Sequence, residues 1–256
     1  MALSLGLGLG LSFARSGGGG VPFAQTAAIL GAGGLDYAFF DSSLASSLFQ
    51  DAAGTTPALI TNPVGRWNVR QKPPHYASQA TSGQRPILQS DGVKFDGISH
   101  NLLTDWFAQA GANCIIFLGT PPAGLSSLGL VAGVSGASGA ERFFVGFDAG
   151  GLLVGGVGGN SVVNIKGAID RRGQRTFGAI VCNGSTVRLI DGMEQVYSNT
   201  QIGAPILTVP FAVGAKRAVQ NVSDTFLGVA LEKIAFAKVA PTLAEIQSIR
   251  AEWLAA

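Results

Sequence analysis

Two hairpin turns in close succession constrain the fold of this chain more than any other feature. An apolar run over residues 175–182 is followed by Asn183-Gly184, a dipeptide favoured in two-residue hairpin turns, and the strand pattern resumes over residues 185–190. Asp191-Gly192 then predicts a second turn into a strand over residues 194–198. This segment therefore predicts antiparallel strands in sequence order.

Similar short apolar runs, separated by turn residues, continue along most of the chain. Apolar residues make up 47% of the sequence and charged residues 12%, whereas disorder requires low hydrophobicity and high charge. The 37 glycines follow no three-residue period, which excludes collagen. We therefore predict an all-β fold, an antiparallel β-sandwich of the jelly-roll type. The further predicted strands are residues 37–40, 93–96, 114–118, 128–131, 142–147, 152–154, 162–165, 211–213 and 226–237.

A short helix is predicted at the end of the chain. Thr242 and Glu245 have the spacing of a capping box, in which each side chain accepts a backbone hydrogen bond from the other residue. An apolar stripe at helical spacing follows, formed by Ile246, Ile249, Trp253 and Leu254.

The first 20 residues have a different pattern, an extended arm followed by a glycine tether. Its large apolar residues alternate with Ser or Gly and would share one side of a strand: Leu3, Leu5, Leu7, Leu9, Leu11 and Phe13. No basic residue precedes them, so the segment lacks the start of a secretory signal. Two interpretations stay open: an arm that adds a strand to a neighbouring subunit, or an edge strand of its own domain. The predicted division is residues 1–20 for the arm and 21–256 for the sandwich.

Five blocks follow one another along the chain in a recognisable order: residues 49–56, Val64-Gly65-Arg66-Trp67, and residues 93–97, 183–192 and 226–236. This order resembles the concanavalin A-like, laminin-G-type jelly roll of tailed-bacteriophage virion proteins, and the first two blocks are the most specific. The resemblance covers residues 35–256 and implies two antiparallel sheets packed face to face.

Some members of that family bind sugars or a calcium ion at the sheet rim. This chain has Ile98, Ser99, His100 and Asn101 where such relatives often carry acidic residues, so no metal site is predicted. Asp96 is expected to hydrogen-bond the turn that follows it.

The sequence predicts no catalytic site and no cofactor. Glycosidases of this fold class need paired carboxylates, and the nearest acidic pair, Asp191 and Glu194, straddles a turn. His75 and His100 have no Cys or His neighbour at metal-ligand spacing. Cys114 and Cys182 lie in apolar runs and are expected to be buried free thiols. A hydrolase is kept as a third hypothesis, since acids on separate strands could converge.

The net charge of +2 gives no support for nucleic-acid binding, and no apolar stretch is long enough for a membrane helix. The resemblance and the low charge favour a virion structural protein that decorates the capsid, assembled in the host cytoplasm. Its partners would be the major capsid protein, other virion proteins and further copies of itself, a trimer being one expected state. The alternative is a glycan-binding module of a head or tail fibre. The aromatic residues considered for such a site are Trp67, Trp106 and Tyr76, with Trp106 expected in the core.

Overall fold

The structure is a computed structural model that describes residues 23–71, 75–106, 111–135, 142–158, 162–200, 210–218 and 225–256. It contains two helices, α1 (Ala24–Leu30) and α2 (Leu243–Ala255), and many short strands. The strands are β1 (Tyr37–Asp41), β2 (Leu48–Phe49), β3 (Arg66–Asn68), β4 (Tyr76–Ser78), β5 (Ile87–Gln89), β6 (Gly92–Lys94), β7 (Leu102–Thr104), β8 (Ala112–Thr120), β9 (Gly129–Ser135), β10 (Arg142–Phe147), β11 (Leu152–Gly158), β12 (Val162–Asp170), β13 (Thr176–Asn183), β14 (Thr186–Asp191), β15 (Glu194–Thr200), β16 (Ala212–Val213), β17 (Lys216–Ala218) and β18 (Ala230–Ala237).

The strands form two sheets. Sheet A has the order β15-β14-β13-β8-β18-β6-β5, with β1 also paired to β18. Sheet B has the order β12-β11-β10-β9-β16-β7-β4-β3-β2, with β17 parallel to β9 and the remaining pairs antiparallel. The prediction of an all-β antiparallel sandwich is therefore confirmed.

The two predicted hairpin turns lie in sheet A. Gly184 and Gly192 have φ angles of 89° and 71°, which a glycine adopts without steric cost. The turns place β13, β14 and β15 side by side, with Ile180 opposite Leu189 in the first pair. Local turn chemistry therefore sets the pairing in this part of the sheet.

The main core lies between the two sheets and is rich in aromatic side chains. Phe236 of sheet A is central to it: its ring centroid is 5.1 Å from that of Phe211, 5.8 Å from Trp106 and 6.3 Å from Phe40. Trp67 of sheet B packs edge-on against Phe40 at 5.6 Å. Edge-to-face and tilted ring contacts of this kind add to the free energy gained by apolar burial.

A second core lies on the outer face of sheet A, beneath the two helices. Phe39 of β1 stacks on Trp253 of α2 with ring centroids 5.1 Å apart, and Phe177 of β13 meets the same indole edge-on. Residues of β8 alternate between the two cores, with Ile115 in the main core and Ile116 beneath the helices. Because both faces are covered, this strand is apolar from Cys114 to Leu118 instead of alternating with polar residues.

Helix α2 begins as the sequence predicts. The Thr242 hydroxyl accepts from the Glu245 backbone N–H, and the Glu245 carboxylate accepts from the Thr242 N–H at 2.7 Å. Ile246, Ile249 and Trp253 are buried against sheet A. Leu254, expected on the same stripe, is exposed.

Helix α1 was not predicted, and its N-terminus is capped from the other end of the chain. Its N-cap residue, Phe23, has a φ of 66° and no side-chain cap. The Glu252 carboxylate of α2 instead accepts hydrogen bonds from the backbone N–H groups of Gln25 and Thr26, at 2.9 and 2.8 Å. The Trp253 indole N–H donates to the Thr26 hydroxyl oxygen at 2.9 Å. The capping group is thus 226 residues distant from the helix end that it satisfies.

The predicted arm, with Leu3, Leu5, Leu7, Leu9, Leu11 and Phe13, lies outside the described residues, as does the boundary between residues 20 and 21. The division at that point stays a prediction. Neither described helix has the length and apolar character needed to cross a bilayer.

We expect Glu252→Ala to lower the free energy of unfolding by about 1–2 kcal/mol, because it leaves two N–H groups of α1 without their acceptor. Chemical denaturation of the purified chain measures this loss. Ser248→Ala, an exposed substitution on the same helix, is the control and should have little effect. Equal stability of the two variants would contradict the proposed capping role.

Candidate functional site

The outer face of sheet B differs from that of sheet A because no described helix lies on it. A groove of about 310 Å³ runs over β10, β11 and β12 on this face. Side chains of both polarities line it: Leu128, Arg142, Phe144, Val154, Asn164 and Lys166. This groove, called the sheet B groove below, is the candidate site.

Phe144 forms the floor of the sheet B groove, and glycines make room for its ring. In the strand register, Phe144 lies opposite Gly156 of β11 and opposite Gly133 of β9. A Cβ atom at Gly133 would lie 2.6 Å from the Phe144 Cβ, and one at Gly156 would overlap the phenyl ring. The ring can lie against the sheet because both cross-strand neighbours lack side chains.

The polar residues of the groove differ in how their charges are balanced. The Lys166 ammonium is 2.5 Å from the Asp148 carboxylate, which also accepts from the backbone N–H groups of Gly150 and Leu152. The Arg142 guanidinium lies 5.8 Å from the Phe144 ring centroid and has no carboxylate partner among the described residues. Asn164 is exposed beside Phe144. The groove therefore offers one uncompensated cation and one amide next to an apolar floor.

The sequence pattern does not mark the residues of the sheet B groove as a binding site. The run from Arg142 to Phe147 has apolar side chains on both faces, so its inward residues (Phe143, Val145 and Phe147) could not be told from its outward ones. The available signal was the glycine cluster at residues 155–159, between the strands predicted over 152–154 and 162–165. Where it is described, over 155–158, that cluster belongs to β11, and Gly156 makes room for the Phe144 ring.

The three aromatic residues considered as sugar platforms do not form one. Trp67 and Trp106 are both buried in the core between the sheets, so Trp67 is corrected to a core residue and the core prediction for Trp106 is confirmed. Tyr76 lies on β4, and the Arg66 guanidinium covers its ring at 4.0 Å from the centroid. A sugar could stack on Tyr76 only by displacing that arginine.

Asp96 has the turn role that the sequence predicts. Its carboxylate accepts hydrogen bonds from the backbone N–H groups of Ile98, Ser99 and His100, at 2.8–2.9 Å. Partial burial acts to raise the pKa of Asp96, but these hydrogen bonds outweigh it and lower the pKa to about 2. The described residues contain no group of three side chains suited to hold a metal ion.

His75 lies in a cluster that joins distant segments. Its Nε2 atom is 2.8 Å from the Asp36 carboxylate and its Nδ1 atom 3.2 Å from that of Asp105. Lys238 contacts the second Asp36 oxygen at 3.2 Å. Burial acts to raise the pKa of Asp36, but the hydrogen bonds and charges of His75 and Lys238 outweigh it and lower this pKa. The contacts tie the start of β1 to the chain after β7 and β18, which gives His75 a structural role.

The remaining candidates from the sequence are two cysteines and one pair of acidic residues. Cys114 and Cys182 are buried free thiols, and burial raises the pKa of Cys114 to about 12, which removes its reactivity at neutral pH. Asp191 is buried and its carboxylate is 2.8 Å from Arg171, while its register partner Glu194 begins the next strand. Asp191 is not among the residues that line the sheet B groove.

The chain matches no protein-family model and no curated protein. Among solved structures it resembles the Trypanosoma rangeli sialidase in complex with 2,3-difluoro-KDN, with a TM-score of 0.53 and 12% identity over 83% of this chain and 32% of that one. It also resembles the CBM40 of the Ruminococcus gnavus IT-sialidase bound to alpha2,3 sialyllactose (TM-score 0.46, 13% identity, 55% of this chain and 83% of that one). The Streptococcus pneumoniae NanB sialidase is similar at a TM-score of 0.46 and 12% identity, over 55% of this chain and 24% of that one.

At these identities the likeness shows the fold alone, a β-sandwich shared with the trypanosomal sialidase, of which the chain spans about a third. None of these three structures is described as a virion protein. The virion and capsid roles that the sequence resemblance implies therefore stay predictions without support from the comparisons. The expectation that the chain is not an enzyme also stays a prediction.

We expect Gly156→Ala to destabilise the chain by about 1–3 kcal/mol, because the new methyl group overlaps the Phe144 ring and forces it off the sheet. Gly83→Ala is the matched control, since a Cβ at Gly83 meets no atom within 4 Å. Denaturant unfolding of both variants gives the comparison. A Gly156→Ala variant as stable as the control would show that Phe144 does not occupy this position.

Asp96 should make the stability of the chain depend on pH in the acidic range. Its pKa is about 2 in the folded state against an ordinary 3.8, so its contribution is present above about pH 4 and is lost as the pH falls towards 2. Asp96→Ala should cost about 1–2 kcal/mol at pH 7 and progressively less at lower pH. Asp96→Asn, which keeps an acceptor but cannot ionise, should flatten this dependence when unfolding is followed from pH 6 to 2.

Proposed function

We propose that this chain is a glycan-binding β-sandwich module and that the sheet B groove holds the sugar. The observation that carries the proposal is the groove itself, on the sheet face that no described helix covers. It combines an apolar floor with exposed polar side chains at its sides. This is the composition expected of a small-ligand site, in which a few polar groups orient a ligand held on apolar surface.

The apolar part of the groove suits the C–H face of a pyranose ring. Leu128 is 45% exposed, and Val154 is partly exposed beside it. Phe144 is 9% exposed, so it offers a ring edge at the floor instead of a free stacking platform. The volume of about 310 Å³ is at the lower end of ligand sites, which run from roughly 300 to 1,000 Å³. One or two sugar rings would fill it.

The polar part of the groove suits hydroxyl groups. The Asn164 amide supplies two donors and one acceptor, and it lies in register with Gly156 so that no side chain separates it from Phe144. Arg142 lies on β10 two residues before Phe144 and so points to the same sheet face. Both groups can therefore meet the edge of a ring that rests on Phe144.

Binding without hydrolysis fits the groove better than catalysis. Glycosidases generally use two carboxyl groups about 5–10 Å apart across the scissile bond. The described residues that line the sheet B groove include no carboxylate. The nearby Asp148 is held by Lys166 and by two backbone N–H groups. The hydrolase hypothesis would need a different site.

One further observation supports this proposal over capsid decoration. The trypanosomal sialidase that shares the fold is in complex with a sugar derivative, 2,3-difluoro-KDN, and this chain spans about a third of that protein.

The purified chain should bind at least one glycan saturably on a glycan array, and calorimetry should confirm the affinity. We expect Asn164→Ala to weaken that binding about tenfold, because the lost amide bonds are worth roughly 1–2 kcal/mol. Asn68→Ala, the same substitution on β3 at the far end of the same sheet, is the control and should bind normally. Phe144→Ala tests the floor of the groove.

Two outcomes would refute the proposal. One is a folded chain that binds no glycan at all. The other is saturable binding that is unchanged in both Asn164→Ala and Phe144→Ala, since the sugar would then lie elsewhere.

A further inference from the structure

We infer that Arg142 makes the sheet B groove select sugars that carry an anionic group, a carboxylate or a sulfate ester. The inference rests on the proposed glycan-binding function and names the chemical class of the ligand. It depends on which charged side chains of the groove are paired with an opposite charge.

Arg142 differs from most of the described arginines in having neither a carboxylate partner nor a hydrogen-bond acceptor among the described residues. Four arginines pair with carboxylates at 2.6–2.8 Å, namely Arg70 with Asp41, Arg171 with Asp191, Arg172 with Asp170 and Arg175 with Glu232. Four others donate to amide, carbonyl or sulfur acceptors: Arg66, Arg85, Arg188 and Arg250. Arg142 is half-buried, and within the described part of the chain it contacts the face of the Phe144 ring. No described residue therefore accepts from its N–H donors, which can meet a ligand.

Lys166, the other cation of the groove, is already neutralised. Its ammonium forms an ion pair with Asp148 at 2.5 Å. In the strand register, Lys166 of β12 lies opposite Val154 of β11, and Val154 lies opposite Gly146 of β10. Lys166 is therefore two strands away from β10, in a row that is four residues from Arg142. At about 3.3 Å per residue and 4.8 Å per strand, the two backbone positions are roughly 16 Å apart. The unbalanced positive charge of the groove therefore lies at the Arg142 end.

A guanidinium can donate two parallel hydrogen bonds to two oxygens of one anionic group, and both a sugar carboxylate and a sulfate ester offer such a pair of oxygens. The apolar floor strengthens such a pair by limiting water around it, since the Phe144 ring lies beside Arg142 in the same groove. A sugar ring resting on Phe144 with its acidic group directed towards Arg142 would also place its hydroxyls near Asn164. An acidic sugar would thus make one charged contact in addition to the contacts that hold a neutral sugar.

The test uses an array of neutral oligosaccharides together with their carboxylated and sulfated counterparts, probed with the purified chain. We expect the acidic forms to bind about tenfold more tightly than their neutral counterparts, with the preference weakening as salt rises. Separate carboxylate and sulfate series show which anion is preferred. Arg142→Gln should abolish the preference, so that the variant binds the acidic and the neutral form of each sugar about equally.

The matched control is Arg172→Gln, which removes the same charge from an exposed arginine paired with Asp170 outside the groove. It should keep the preference for acidic sugars. Equal binding of acidic and neutral forms, or a preference that survives Arg142→Gln, would overturn the inference while leaving the glycan-binding proposal intact. Absence of binding to every glycan would overturn both.

Discussion

The burial of both faces of sheet A is the constraint on which the rest of the structure depends. Its central strands β8, β13 and β18 carry apolar side chains on each face, so a layer is needed on both sides. Sheet B covers one side, and α1 with α2 covers the other. Because the described helices lie there, no described helix lies on the outer face of sheet B, where the candidate site is found.

The features that the sequence could predict are those set by neighbours along the chain. The turns at Gly184 and Gly192 and the capping box of Thr242 and Glu245 depend on residues a few positions apart. Helix α1 could not be found in this way because its acceptor, Glu252, belongs to the last helix. The uninterrupted apolar runs of sheet A indicate that a second layer covers it, since strands with one solvated face usually alternate apolar and polar residues. Taken one at a time, those runs predict strands only.

The candidate site depends on register between strands that are not joined by predictable turns. Phe144 lies between Gly133 and Gly156 because β9, β10 and β11 pair with the offsets observed, and a shift by one residue would put Val134 or Val157 beside it. Nothing in the local sequence sets those offsets. The charge balance of the groove is also a property of the folded sheet, since Asp148 follows β10 and reaches Lys166 on β12, with β11 between these strands. The resemblance to virion proteins implies the correct fold class, but it does not predict this groove.

The cap of α1 by Glu252 has a consequence for the way the domain can be connected. Gln25 and Glu252 are in hydrogen-bond contact, so the first and last described elements of the sandwich meet at one place on its surface. A domain whose ends adjoin can be spliced into an exposed loop of a larger polypeptide, or rejoined end to end and opened elsewhere, without stretching its sheets. In the first arrangement both connections leave the domain on the helical side of sheet A, opposite the sheet B groove.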